Sequence, residues 1–409
     1  MNREKYDLIV IGSGAAGIMA AIVAARDGKK VLLLEKLSQI SAKLKATGGG
    51  RCNLTNTLDN DEFMSRFGKD GRFMRDALEA FDKDALVSFF AEIGVDTHSP
   101  DGFRIFPTSH SSSTIIEALK QEMNRVGITL HTQQKVQKIL YYEKKVTGVQ
   151  TQDTHFDASN VIVATGGLGY PTLGAEGDGY KLAQALGHTI TPLYPAMTPL
   201  KTKESWVAEC RADTIAKVQL QVDLKKHKKL KATGDLIFTK TGIRGPVVLD
   251  FAREITPLLH KYGEVPITMQ LTQKKNQDEI LQHFKKQDST LSTLELTSTL
   301  LPQPLALQLC KLADADPDIT LKKQPGHTKA KLVKILAATP LTINNHNGFE
   351  MAMITRGGIK LKEVDPKTMQ SKLIKGVYFC GEVLNIDGPC GGYNLQWSFS
   401  SGYLAGKLL

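Results

Sequence analysis

Residues 6–17 read YDLIVIGSGAAG, and the next apolar run, VLLLE, ends at Glu35. A buried strand over Leu8–Ile11 runs into a turn at Gly12, Gly14 and Gly17, which opens a helix over Ala15–Arg26. Gly12 permits the tight turn, Gly14 lets the backbone approach a pyrophosphate, and Gly17 lets helix and strand pack closely. The helix N-terminus offers free N–H groups and partial positive charge to that pyrophosphate. Glu35 stands where it accepts hydrogen bonds from a ribose diol. Ser13, Ala15 and Ala16 on the turn, and Lys36 beside Glu35, complete this candidate contact set. Strand, turn, helix, strand and acid in register point to dinucleotide binding. A signal peptide or membrane anchor over residues 8–25 is the competing reading. Three glycines at turn spacing interrupt that stretch, Asp7 and Arg26 bracket it, and a second strand follows at once.

The chain has 409 residues, enough for two or three domains with substantial cores. Hydrophobic residues make up 41% and charged residues 23%, ordinary values for a water-soluble protein. No other segment has membrane-spanning length. Five scattered cysteines without a CxxC pair favour a reducing cytoplasm over a disulfide framework, and no metal site is expected. The net charge of +10 is unevenly placed: residues 188–345 carry +8 and the remainder +2. Within the basic part, KKHKKLK covers 225–231, and residues 319–349 hold Lys322, Lys323, Lys329, Lys331 and Lys334 with no acid. Such a surface is either a solvated lysine-rich face or a landing site for a polyanion such as RNA.

The texture divides the chain. Residues 1–187 and 346–409 alternate strands and helices, which predicts one nucleotide-binding domain split in sequence. Residues 188–345 form an insertion, β-rich over about 188–274 and helical over about 275–345. The spacing predicts one helix across 72–93, another over Ser111–Val126, and a last one over Trp397–Leu408. Short β segments are expected over 128–152, and a buried strand over 160–167.

Three further elements bear on chemistry. VIVATGG at 161–167 brings Thr165, Gly166 and Gly167 to the end of an apolar strand. Residues 376–402 repeat that form: a strand ends at Gly381-Glu382, and a loop with Gly388, Gly391 and Gly392 runs into the final helix. Glu382 is placed to accept from ribityl or ribose hydroxyls, and the loop to set N–H groups against a flavin ring. TGGGRCN at 47–53 includes Gly49, Gly50 and Asn53, and its consecutive glycines imply close approach to a ligand. Arg51 suits phosphate or reduced-flavin charge. Cys52 and Cys390 are each either small buried side chains or proton donors.

Together these elements resemble the HI0933-like (BaiN/YhiN-like) family of flavoproteins. The matching stretches are GSGAAG at 12–17, ATGGGRCNLTN at 46–56, FPTS at 106–109 and ATGGLGYPTLGAEGDGY at 164–180. They continue with FTKTGIRGP at 238–246, TRGGI at 355–359, TMQSK at 368–372 and CGEVLNIDGPCGGYNLQWSFSSG at 380–402. The resemblance implies an α/β fold: a split Rossmann-like FAD-binding domain with an inserted β-barrel-like and helical region. It also adds Val136, Asp387, Tyr393 and Asn394 to the implied cofactor contacts. Relatives are associated with two activities, reduction of steroid-type enones and reduction of uridine to dihydrouridine in ribosomal RNA. Lys240 and Arg244 stand where members often carry His and Ser, and Asn385 replaces a common Asp.

The resulting expectation is an FAD-dependent reductase passing hydride to an electron-poor double bond. Arg51 and backbone amides would stabilise negative charge, and Cys52, Cys390 or Tyr393 would donate the proton, Cys52 first. The basic insertion would form the other wall of the cleft. An RNA uracil ranks ahead of a small enone. A flavin-carrying sensor without turnover and an NAD-only protein are the competing classes. With no second GxGxxG in 188–345, a nicotinamide donor would visit the flavin transiently.

Overall fold

The structure is a computed structural model and describes residues 5–409. Strand β1 (Lys5–Ile11), helix α1 (Ala15–Arg26) and strand β2 (Val31–Leu34) form the expected βαβ unit. Leu8–Ile11 and Val31–Leu34 are all buried. That is why they read as unbroken apolar runs rather than alternating ones: helices cover both faces of a parallel sheet.

The chain forms two compact units, one comprising the chain up to Tyr194 with Ile354–Leu409, the other Pro195–Met353. In the first, the sheet runs in the order 129–131, β2, β1, 155–163, then the hairpin strands 145–150 and 138–142. The first four strands are parallel. Beyond β1, strand His155–Val163 serves two further partners. Its first residues pair antiparallel with Gly148–Gln150, and Val161–Val163 pair parallel with Val377–Phe379. The C-terminal strand thereby joins a sheet begun at the N-terminus.

The C-terminal helix (Tyr393–Gly406) lies against α1. A Cβ on Gly402 would overlap the Ala16 carbonyl, and one on Gly406 would stand 2.5 Å from the Ala20 carbonyl oxygen. Glycine at both positions lets the backbones touch.

The second unit is built on a closed six-stranded antiparallel barrel, in the order 200–202, 242–244, 231–239, 214–222, 265–270 and 339–346. Its inward residues alternate, as in Val218, Leu220 and Val222, and a bulge at Ile215/Val218 interrupts the register. Helices 277–285, 293–298, 303–312 and 326–337 bury Ile280, Phe284, Leu296, Leu305, Leu309, Leu332 and Leu336. Asn276 with Glu279 and Ser292 with Glu295 form capping boxes at the first two.

Several boundaries differ from expectation. The single helix over 72–93 is two, Arg75–Ala80 and Lys83–Glu92, because the Asp82 carboxylate caps Asp84 N and Ala85 N and starts the second. The β-rich segment holds a 17-residue helix, Pro246–Tyr262, and the helical segment closes on strand Thr339–His346. The last helix starts at Tyr393, not Trp397.

Gly402→Ala should lower stability by about 1–3 kcal/mol through overpacking. Gly326→Ala, whose Cβ meets nothing, should raise it by about 0.4–1 kcal/mol; urea denaturation of both variants tests the contrast. His188 is buried, its Nε2 2.8 Å from Ser371 Oγ. Burial holds its pKa below the ordinary 6.5, although the Glu363 carboxylate 3.4 Å from Nδ1 opposes this. The unfolded chain therefore binds this proton more readily. The stability due to neutral His188 is complete above pH ~6.5 and is lost as pH falls below it. Melting temperature should drop between pH 7 and 5.5, and His188→Gln should flatten that slope.

Candidate cofactor and substrate site

The site is laid out by strand ends. β1 delivers Gly12, β2 delivers Glu35, strand 155–163 delivers Thr165–Gly167, and strand 377–379 delivers Gly381 and Glu382. These lie at the carboxyl ends of adjoining parallel strands, where open α/β sheets bind ligands. The three glycines of the turn behave differently. Gly12 has φ +100°, and a Cβ there would stand 2.7 Å from the Ala164 carbonyl oxygen. At Gly17 a Cβ would overlap the Gly12 carbonyl. Around Gly14 no protein atom lies within 4 Å of that position, and its φ of −76° suits any residue. The protein requires Gly12 and Gly17 for its own packing; the space before Gly14 is left open at the N-terminus of α1.

Glu35 is held from both oxygens. Oε2 accepts from Ser13 N (3.0 Å) and Ser13 Oγ (2.5 Å), and Oε1 from Leu37 N (2.9 Å). Leu37 and Glu35 in turn accept from Gln133 N and Gln134 N, which brings the segment leading to buried Val136 alongside. Lys36 is committed elsewhere: its Nζ lies 2.6 Å from Asp178 and 2.8 Å from Glu176. Lys135 joins them, 3.0 Å from Asp178. Burial acts to raise Asp178, but hydrogen bonds from Lys36 and Lys135 and their charges outweigh it and hold the carboxyl below its usual range; Glu176 is lowered first by its hydrogen bond from Lys36. This cluster ties the GAEGDG loop to the end of β2.

Glu382 has one oxygen 2.6 Å from Lys43 Nζ and the other accepting from Thr355 N (2.9 Å). Thr355 Oγ1 accepts from Leu168 N (2.7 Å), and a Cβ on Gly167 would collide with both Thr355 and Glu382. The Gly381 peptide is gripped on both sides. Its N–H donates to Ser401 Oγ (2.9 Å) and its carbonyl accepts from Trp397 Nε1 (3.3 Å). Thr165 Oγ1 is buried and has no hydrogen-bond partner.

The two glycine loops are bolted together. The Asn53 amide, turned so that each atom meets its complement, donates to Thr55 O and accepts from Gly392 N, both at 3.0 Å. Asn56 Nδ2 donates to Gly391 O (2.9 Å). Asn394 spans its own loop, accepting from Gly388 N (2.7 Å) and donating to Gly388 O (3.0 Å). Gly49 and Gly50 have φ of +66° and +86° with open space where a Cβ would stand. Arg51 is exposed, its guanidinium 5.4 Å from the Phe106 ring centroid. Asp387 lies 3.9 Å from Arg356. Tyr393 is buried against Phe63, ring centroids 5.0 Å apart.

The expectation for Cys52 needs correction. Its side chain is 0% exposed, and burial pushes the thiol up to about 12. It belongs to the apolar core cluster, and its backbone has a left-handed φ of +60°. Cys390, on the glycine loop, is partly exposed, whereas the other four cysteines are buried. Lys43, Thr355, Ser401 and the Lys135–Glu176–Asp178 cluster escaped sequence reasoning; the TRGGI stretch was the signal for Thr355.

Gly14, Gly49, Gly50 and Gly166 all have open space where a Cβ would stand, and the Thr165 hydroxyl is buried without a hydrogen-bond partner. The family model described as HI0933-like protein Rossmann domain matches residues 6–408. A 3-dehydro-bile acid delta(4,6)-reductase of Clostridium scindens is 32% identical, the match covering 100% of this chain and 98% of the relative. A ribosomal RNA dihydrouridine synthase of Haemophilus influenzae is 29% identical over 97% of this chain and 96% of the relative. Among solved structures, a 3-ketosteroid delta1-dehydrogenase from Sterolibacterium denitrificans shares the fold at TM-score 0.55 and 12% identity, covering 98% and 99% of the two chains.

Gly14→Ala should leave the apoprotein's melting temperature unchanged, since the methyl meets no protein atom, while lowering bound flavin at least tenfold. Absorbance of the purified variant near 450 nm, on the order of the usual flavin band, checks this.

Proposed function

The chain belongs to the HI0933-like family and is an FAD-dependent oxidoreductase; on that premise we propose that it reduces a carbon–carbon double bond conjugated to a carbonyl, in a uridine of ribosomal RNA. The observation that carries the RNA reading is the placement of charge. The segment 188–345 holds +8 of the chain's +10, and its lysines crowd the exposed stretch 225–231. The name of the Haemophilus relative agrees with it. A small enone is the second reading, favoured by the 32% identity to the bile-acid reductase.

The turn at Gly12–Gly17 would hold the FAD pyrophosphate, Glu35 its ribose, and Glu382, Thr165 and the glycine loops its ribityl and ring end. When bound and reduced, the flavin would supply hydride to the electron-poor carbon β to the carbonyl. Arg51, exposed and with no acid partner among the described residues, offsets negative charge developing on the substrate oxygen. The thiol of Cys390 holds the proton delivered to the neighbouring carbon and regains one from water. Hydride and proton together saturate the bond. Reduced nicotinamide, visiting transiently, is the proposed electron source. No helix among the described residues is long and apolar enough to cross a membrane.

Ribosomal RNA from cells lacking the gene should contain less dihydrouridine than RNA from cells carrying it; equal content would overturn the RNA reading. Purified holoenzyme with Cys390→Ala should keep its flavin and lose about 10²-fold in product formation. Cys52→Ala should stay within twofold of the parent rate and cost about 1 kcal/mol in stability.

A further inference from the structure

The insertion's basic stretch takes a definite shape. KKHKKLK spans the turn that joins barrel strands Thr214–Val222 and Lys231–Thr239. The turn is ordered by its own hydrogen bonds: His227 N to Leu224 O (2.7 Å), Leu230 N to His227 O (2.9 Å) and Gln221 Nε2 to Lys228 O (2.8 Å). Leu224 and Leu230 pack against the barrel core, while Lys225, Lys226, Lys228, Lys229 and Lys231 are exposed. Asp223 lies 3.6 Å from Lys228; the other four lysines make no ion pair among the described residues. Beside the turn ends the helix Pro246–Tyr262. Asp223 N donates to Pro266 O (2.8 Å), which seats the strand after that helix against the turn. Tyr262 is 41% exposed, its hydroxyl 3.3 Å from His227 Nε2 and its ring 5.1 Å from Lys261 Nζ.

We infer that this tip, the turn at 225–231 with Lys261 and Tyr262, is a docking surface for RNA, in which the lysines take backbone phosphates and the Tyr262 ring stacks on an unpaired base. The inference rests on the proposed RNA substrate and names where that substrate is held. Like charges crowded on a rigid turn repel one another, and a polyanion relieves that repulsion. Neutralised phosphates release counterions, so attraction falls with salt. An exposed aromatic beside cations gives bases a stacking platform, the usual means of holding single strands. An anionic membrane fits less well. The two leucines of the turn pack on the protein core, so apart from the Tyr262 ring the tip offers no exposed apolar side chain to an acyl layer.

The test uses the full-length holoprotein and a 23S ribosomal RNA transcript. Variants are a fourfold Lys225, Lys226, Lys228, Lys229→Ala protein, Tyr262→Ala and Tyr262→Phe. Melting temperature and flavin absorbance verify that each is folded and loaded. Wild type should bind with a steep salt dependence. The fourfold variant should flatten the log–log salt slope by about 3, from ~0.7–0.9 per phosphate contact, and weaken binding at least tenfold at physiological salt. Tyr262→Ala should weaken it about fivefold or more, and Tyr262→Phe should retain it. Wild-type affinity and slope in the fourfold variant would overturn the surface while leaving RNA reduction intact. Wild type that neither binds nor modifies the transcript would overturn the underlying substrate reading. Retention on phosphatidylglycerol vesicles without RNA binding would overturn both.

Discussion

The seam between the first and last helices decides this architecture. Ala16 and Ala20 meet Gly402 and Gly406 backbone to backbone, an approach that any side chain on the C-terminal helix would prevent. From that contact the rest follows. It places Ser401 and Trp397 where they grip the Gly381 peptide, and it sets Gly381 against the first turn of α1, its Cβ position 2.9 Å from Ala16 Cβ. The glycine-rich segments come from opposite ends of the chain, and packing brings them together.

Across the site the division of labour among glycines is informative. Gly12, Gly17, Gly167 and Gly392 answer to protein neighbours, whereas Gly14, Gly49, Gly50 and Gly166 face space. The second set leaves its surroundings open. Ion pairs then fix what glycine leaves loose: Lys43 holds Glu382, and Lys36 with Lys135 holds the loop bearing Glu176 and Asp178.

What was legible in the sequence was local. The βαβ unit read correctly because strand burial, turn glycines and the acid after β2 lie within thirty or so consecutive positions. The contact of Lys43 with Glu382 spans 339 positions and leaves no local mark. The helix Pro246–Tyr262 was masked by Pro257 in its interior, although proline at its start and Gly263 at its end are ordinary boundary signals. Cys52 is buried, with a left-handed backbone angle, inside a glycine-rich loop, neither of which composition reports. The break at Asp82 was readable as a cap, yet apolar spacing continued across it.

Strand 155–163, shared between a nearby hairpin and a distant strand, has a consequence for biosynthesis. On the ribosome, strand 155–163 emerges with β1 and its hairpin partner already made, but Val377–Phe379, which pair with Val161–Val163, follow only after the whole insertion has been translated. At ~5–20 residues per second the apolar edge stays open for roughly ten to forty seconds. An uncapped edge of this kind recruits foreign strands. The nascent chain therefore carries an open sheet edge for as long as its insertion is being synthesised.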